Sequence, residues 1–404
     1  MAPIQKETAV VIIGAGVAGL TLATFLQKGG VPCIVLERRS REHVAVRQRA
    51  GVVEARGVRM FERRGLADKL LAGPVANTVE YRVNGVGRVF EVTSEDGSPS
   101  RFCTQQMLVN NLLKLLVDEL TADVRFDANV VAIYNEDESR PRVRYTNGSG
   151  TQEIVCDYIA GCDADHGVSR AAIPDGVLKT YAHEFGYAWL AALVEAPVTG
   201  HALMAVSDEG FAAQLPRGPQ RSRYYLQCAL TDGPSDWPDK RVWNEIRLRM
   251  GDPNLRDAPI LDKLFVPLRS VVYTPMQYRN LFLAGDAAHL VPPTGAKGMN
   301  LALYDVDVLA QALVTAVHDG DRTALDGYTE ACLPRIWRYQ EFSAWMTDTM
   351  HDAGDPTLHG EFRQRMARAR LDTLFQSQTA GRLHAEFQQG IVQEESALDP
   401  EDAP

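Results

Sequence analysis

Apolar residues follow two rhythms along this chain, and the first change of rhythm comes at its start. Residues 10–13 (VVII) form an unbroken apolar run, GAGVAG at 14–19 interrupts it, and 20–28 continue with helix-forming residues up to Gly29 and Gly30. Residues 33–36 (CIVL) form a second unbroken run. Such runs without alternation suit strands of a parallel sheet covered on both faces, so the opening predicts a βαβ unit. Positions 8–27 carry no charge and mimic a membrane span, but three glycines and a switch from β-branched to helix-prone residues predict a strand followed by a helix. The basic region and small-residue cleavage site of a signal peptide are missing.

Further along, residues 79–103 are β-rich with a turn near 84–85, and helical periodicity returns at 107–120. Strands are predicted at 124–134, 143–145 and 153–160, with the turn NGSG at 147–150. Residues 180–272 alternate apolar and polar positions apart from a helical stretch at 242–250, which predicts a second domain built on an antiparallel sheet. A buried strand at 280–284 runs through GDAAH and VPPTGAKG into a long apolar helix at 299–317, and mostly helix follows. The predicted fold class is α/β with an α+β second domain. A Rossmann-like dinucleotide-binding domain with a parallel sheet takes 1–75, 100–180 and 270–335, and a β-sheet substrate domain takes 76–99 and 181–269. A helical segment at 336–392 and an acidic tail at 393–404 complete the chain.

Composition narrows the options. The 404 residues are 45% hydrophobic and 23% charged, an ordinary globular balance with room for two or three compact units. A net charge of −10 argues against a nucleic-acid or anionic-membrane binder. The six cysteines, at 33, 103, 156, 162, 228 and 332, include no CxxC pair and predict buried reduced thiols, hence a cytoplasmic protein without a metal site. Within this acidic chain residues 38–64 stand out, with nine arginines against three glutamates, a local charge of +6.

Candidate chemistry gathers at predicted strand ends. Gly14, Gly16 and Gly19 form GxGxxG between strand and helix, with Glu37 closing the next strand. That arrangement serves a tight turn, close approach of a diphosphate to a helix N-terminus, and an acid for ribose hydroxyls. CDADHGVSR (162–170) follows another buried strand, and GDAAH (285–289) a third. A nicotinamide dehydrogenase has no use for extra acid-bearing strand ends folded back on its nucleotide, whereas FAD exposes ribityl hydroxyls that Asp163 or Asp286 can bind. Backbone amides at the helix start near Met299 would stabilise negative charge on reduced flavin.

With GAGVAG…ER, CDYIAGCD, CDADHGVSR, PLRS (267–270) and LFLAGDAAHLVPPTGAKGMNLA, the chain resembles the para-hydroxybenzoate hydroxylase family of single-component flavin monooxygenases over about 9–350. The resemblance implies noncovalent FAD reduced by a nicotinamide cofactor, and a C4a-hydroperoxyflavin that attacks an electron-rich ring in a dry site. By motif it assigns the flavin to Gly14, Gly16, Gly19, Glu37, Arg47, Arg49, Gln105, Asp163, Asp286, Met299 and Asn300. It assigns the reductant to Arg38, Arg47, His166 and Arg269, with Arg39 and Arg41 adding charge that favours NADPH over NADH. It places a substrate carboxylate on Arg217 and Tyr225 and a ring hydroxyl opposite the Pro293 carbonyl, with Asn300 also near the substrate. Partners are then a small aromatic acid and O2, with no nucleic acid or membrane, and a homodimer is a family expectation.

The departures bear on the substrate. Where the family carries a tyrosine–tyrosine–histidine proton relay, this chain has Met204, Gln388 and the Ala76–Asn77 region, and Leu215 replaces a serine beside the carboxylate arginine. Methionine offers no useful proton. Either an amino-substituted (hydroxy)benzoate is activated without deprotonation, in a biosynthetic role, or water replaces the relay and 4-hydroxybenzoate is still hydroxylated. A flavin halogenase is disfavoured by the missing WxWxIP signature. A non-catalytic flavin sensor would bind FAD without aromatic-stimulated reductant oxidation.

Overall fold

A computed structural model describes residues 4–46, 51–92, 97–135, 140–196, 201–217 and 220–389. Two eight-stranded sheets organise them. In the first, strands Leu281–Leu283, Gly150–Gly161, Ile4–Ile13, Cys33–Leu36 and Asp123–Arg125 lie side by side and parallel. Val10, Val11 and Ile12 are fully buried within it, as unbroken apolar runs require. Helix Val17–Lys28 covers one face and is itself buried from Val17 to Leu26. The long apolar helix spans Lys297–Asp319, starting two residues earlier than its periodicity predicts, and packs on Val17–Lys28 and on helix Tyr328–Asp352.

Two details differ from the sequence reading. The predicted strand at 124–134 is two short strands, Asp123–Arg125 and Asn129–Tyr134, turned at Asp127 with φ +52°. The second sheet is mixed. Its order is His289–Leu290, Ile260–Thr274, Lys179–Val194, Ser222–Ala229, Gly210–Pro216, Ala202–Ser207, Thr78–Val83 and Val86–Glu91. All its pairs are antiparallel except Ala202–Ser207 with Thr78–Val83, because a segment from early in the chain inserts beside a late hairpin. Apolar–polar alternation marks both pairings alike, so the pattern could not tell them apart.

Both faces of this second sheet are covered. Helix Asp239–Met250 packs Val242, Trp243 and Ile246 against one face. On the other lie helices Tyr328–Asp352 and Glu361–Gln376, and the core there includes Trp189, Phe211, Tyr225, Met346 and Met350. His351 sits in that aromatic core, its ring 4.5 Å from Tyr187 and 4.6 Å from Phe211. Trp189 Nε1 donates to its Nε2 at 2.7 Å, and its Nδ1 meets the Thr347 carbonyl at 2.6 Å, which fixes a neutral ring. Burial pulls the His351 pKa from 6.5 down to about 3. The unfolded chain therefore takes up a proton between pH 6.5 and 3 that the folded chain refuses, and stability falls as pH falls through that window. We expect the Tm to drop on acidification below pH 6.5. In His351→Gln that slope should be shallower, at the cost of a lower Tm at pH 7, and an unchanged slope would show that this ring does not set it.

Candidate functional site

The parallel strands end at one edge of the first sheet, and the turns leaving them carry the chemistry. After Ile13, Gly14 adopts φ +103°, and a Cβ there would lie 2.4 Å from the Cys162 carbonyl oxygen. A Cβ on Gly19 would come within 1.9 Å of the Gly14 carbonyl oxygen. Both glycines are demanded by packing. Gly16 is different, since a Cβ there meets nothing within 4 Å, so open space lies in front of it. Gly16 also caps helix Val17–Lys28 without any side-chain hydrogen bond, leaving the first backbone N–H groups available to an anion. Glu37 is held in place by two amides, Ala15 N–H to Oε2 at 2.8 Å and Arg39 N–H to Oε1 at 2.9 Å, and each oxygen keeps a lone pair for a hydroxyl donor.

Asp163 follows the next strand. Its Oδ2 accepts from the backbone and hydroxyl of Ser169, both at 2.9 Å, while its Oδ1 is buried without a partner. Burial pushes this carboxyl above the usual range despite the Ser169 donors. Arg170 links this turn to the next one, donating to the Ala287 carbonyl at 2.9 Å behind Asp286. His289 and Asp305, 2.7 Å apart and fully buried, brace the same turn, with Asp305 Oδ2 accepting from Gly285 N–H at 2.8 Å. An open helix N-terminus, a ribose-ready acid and a desolvated oxygen lacking a donor fit an extended dinucleotide bearing hydroxyls along its length. FAD meets that description, and Gly16, Glu37, Asp163 and Asp286 would hold it.

The other predicted residues are placed as follows. Gln105 opens helix Gln105–Leu113, capped by Thr104, whose hydroxyl accepts from Met107 N–H at 3.2 Å. Met299 is buried in the first turn of its helix. The Asn300 side chain is committed to backbone, donating to the Val52 and Ala296 carbonyls and accepting from Glu54 N–H, so it braces the 52–54 segment. Arg38 and Arg39 are exposed, and Arg41 pairs with Asp118 at 2.7 Å. Arg269 reaches across from the second sheet to Asp165, beside His166. Arg47 and Arg49 lie outside the described residues.

On the second sheet Arg217 points one guanidinium nitrogen at the Tyr225 hydroxyl, 3.1 Å away, and another at the Pro216 carbonyl, 2.9 Å away. Its Nε is buried with no partner, and burial lowers its pKa from the ordinary value. Met204 and Tyr225 are buried in the adjoining aromatic core, and Leu215 packs against it. Pro293 is exposed, and its carbonyl accepts from Ala296 N–H at 3.0 Å. At the relay positions, Gln388 Oε1 and Asn77 Oδ1 are buried without partners.

Sequence reasoning missed two constellations. Lys297, fully buried, donates to Glu54 Oε1 at 2.6 Å and to the Gln388 carbonyl at 2.9 Å, while Tyr339 donates to Glu54 Oε2 at 2.8 Å. The signal was a lysine opening an otherwise apolar helix. Tyr81, in register with Met204 on the neighbouring strand, contacts His384 Nε2 at 2.8 Å, and His384 lies one helical turn before Gln388. No spacing motif connects positions so far apart in sequence.

The fold and turns define a flavin-dependent oxidoreductase, and comparison with known proteins makes that class specific. Residues 7–343 match the FAD binding domain family. The chain is 35% identical over 406 aligned residues to p-hydroxybenzoate hydroxylase of Acinetobacter baylyi, covering 97% of this chain and 98% of that one. It is 27% identical to kynurenine 3-monooxygenase of Salinispora tropica, covering 82% and 77%. The fold superposes on p-nitrophenol 4-monooxygenase of Pseudomonas putida with a TM-score of 0.84 at 18% identity, covering 96% of this chain and all of that one. This chain belongs to the family of FAD-dependent aromatic monooxygenases.

The geometry separates function from folding at two positions. Gly16→Ala should keep the stability of the flavin-free protein within about 1 kcal/mol of wild type, whereas Gly19→Ala should cost several-fold more, since its Cβ meets backbone. Asp163→Asn should leave the flavin-free protein as stable or more stable, because it removes a desolvated charge, yet weaken FAD binding by about 10- to 100-fold. Fluorescence titration with FAD and thermal melts of the same samples check both, and a parallel loss of stability and affinity would contradict this division of labour.

Proposed function

We propose that the chain hydroxylates the ring of a hydroxybenzoate-type aromatic acid, using FAD, a nicotinamide reductant and O2. Arg217 carries this reading. Among the described residues no carboxylate pairs with its guanidinium, although burial disfavours an unpaired cation there. An arriving carboxylate relieves that penalty and can take a forked pair of N–H donors, with Tyr225 adding a hydroxyl. The 35% identity to a p-hydroxybenzoate hydroxylase supports the same substrate class.

Around this anchor, Met204, Leu215, Trp189 and Phe211 build an apolar wall that keeps water from the ring. Bound FAD would supply the two-electron activation of O2, with one oxygen atom going to the ring and the other leaving as water. The chain's contribution is to place the ring: Arg217 and Tyr225 fix the acid end, and the second lone pair of the Pro293 carbonyl can accept from a donor at the opposite end. Arg269 provides the cationic landing for the reductant, with His166 beside it. The six buried free thiols support a reducing, cytoplasmic setting.

A second reading narrows the substrate to an amino-substituted (hydroxy)benzoate. Met204 replaces a proton-transferring group, and the unpartnered acceptors on Asn77 and Gln388 suit N–H donors. An amino group donates electrons to the ring without first losing a proton.

Reductant oxidation measured against a panel of substituted benzoates, with products identified by mass and ring NMR, tests both readings. Arg217→Ala should raise the KM for the aromatic acid more than tenfold, with Arg217→Lys intermediate. An unchanged KM would place the carboxylate elsewhere. Higher kcat/KM and tighter coupling with an amino-4-hydroxybenzoate than with 4-hydroxybenzoate supports the second reading, and the reverse order supports plain 4-hydroxybenzoate.

A further inference from the structure

Two residues beyond Asp163 stands another carboxylate, Asp165, at the centre of a small ionic cluster. Its Oδ2 pairs with Arg269 and lies 3.7 Å from His166 Nε2, and its Oδ1 is 3.1 Å from Arg170 Nη2. The cluster is layered. Asp165 and Arg170 are sunk, with side chains 14% and 17% exposed, whereas Arg269 is 34% and His166 87% exposed. The backbone that presents Asp165 is strained, because Ala164 adopts φ +63°, a left-handed conformation disfavoured for any residue with a Cβ.

The two arginines play different parts. Arg170 faces inward, donating to the carbonyls of Asp165, Asp286 and Ala287 and stacking 4.1 Å from the centre of the Tyr273 ring. Arg269 faces outward from the second sheet and is neutralised by the protein's own carboxylate. An outward cation held by an internal anion is a site whose true ligand must compete for it.

We propose that Asp165 is an internal competitor for the diphosphate of the nicotinamide reductant. On docking, the diphosphate takes over Arg269, and Asp165 stays held by Arg170. This rests on the reading that the reductant lands at Arg269 and His166. Arg170 ties Asp165 to the backbone behind Asp286, so the competition takes place beside the flavin turns. There the reductant presents the portion that NADH and NADPH share, and Asp165 sets affinity for both without choosing between them.

Steady-state kinetics on the flavin-loaded enzyme test this. Asp165→Asn should lower the KM for NADH and for NADPH by similar factors, roughly three- to tenfold, as expected for one partly exposed ion pair released and one repulsion removed. Its KM should also rise more steeply with salt, because the landing gains net positive charge, a signature that a merely structural role would not produce. The fall should vanish in an Arg269→Gln background, and Asp165→Glu should stay near wild type. Asp165→Ser provides a second neutral variant if Asp165→Asn retains little flavin. If Arg269→Gln raises KM but neither neutral variant lowers it, the competitor role is overturned and the landing stands. If Arg269→Gln leaves KM unchanged, the landing itself is wrong. A fall confined to NADPH would set Asp165 against the extra phosphate and overturn the shared-diphosphate assignment.

Discussion

Everything at the site depends on one constraint: parallel strands of a sheet covered on both faces must release their backbones at the same edge. Ile13, Leu36, Gly161 and Leu283 end there together, and the residues that follow them have to make turns whose backbone the sheet no longer pairs, with Asp305 of the long helix taking up Gly285 N–H. The turns are therefore polar and tight. The carboxylate of Asp163 lies half satisfied by Ser169 and half bare, with its ionised form disfavoured by burial. A protein optimised for stability alone would not keep that oxygen unpartnered. Ala164 and Ala296, both left-handed without being glycine, store further strain in the turns flanking the same edge. Local rules are broken where a ligand is to supply what the chain lacks.

The second constraint is that the two sheets must be held against each other firmly enough to define a site. Helix Tyr328–Asp352 does this, packing on the long helix and lying on the second sheet, while Lys297 joins the start of the long helix to Glu54 on one side and to the Gln388 carbonyl on the other. Burial pushes its pKa down and Glu54 opposes that, so the pair stands or falls together, and removing one partner alone leaves an uncompensated buried charge. Asn300 ties the same 54 segment to the helix through two hydrogen bonds, donating to the Val52 carbonyl and accepting from Glu54 N–H. Arg269 adds a contact from the second sheet to the Asp165 turn, at a point that is open to solvent and therefore adjustable.

How much of this the sequence reveals follows from how local each feature is. The strand–turn–helix at 10–28, the acid at 37 and the long apolar helix are readable because hydrophobic period and glycine spacing record them within a few residues. Parallel insertion of Thr78–Val83 beside Ala202–Ser207 is not readable, since alternation is the same for either direction of pairing. Lys297 with Glu54, Tyr81 with His384 and Asp165 with Arg269 join positions more than a hundred residues apart, and no periodicity encodes such pairs. The family resemblance picks out Arg217 and Tyr225, and the structure adds that they are hydrogen-bonded and that the guanidinium is desolvated. It also shows the Asn300 side chain bracing backbone, a commitment that residue type alone does not disclose.

Titration of the flavin-stripped full-length chain with FAD, followed by fluorescence quenching and by the visible spectrum of the complex, tests the central claim most directly. Saturation at one FAD per chain, with a yellow complex that survives gel filtration, is the predicted result. A folded chain that stays colourless after gel filtration and quenches no FAD fluorescence would contradict it.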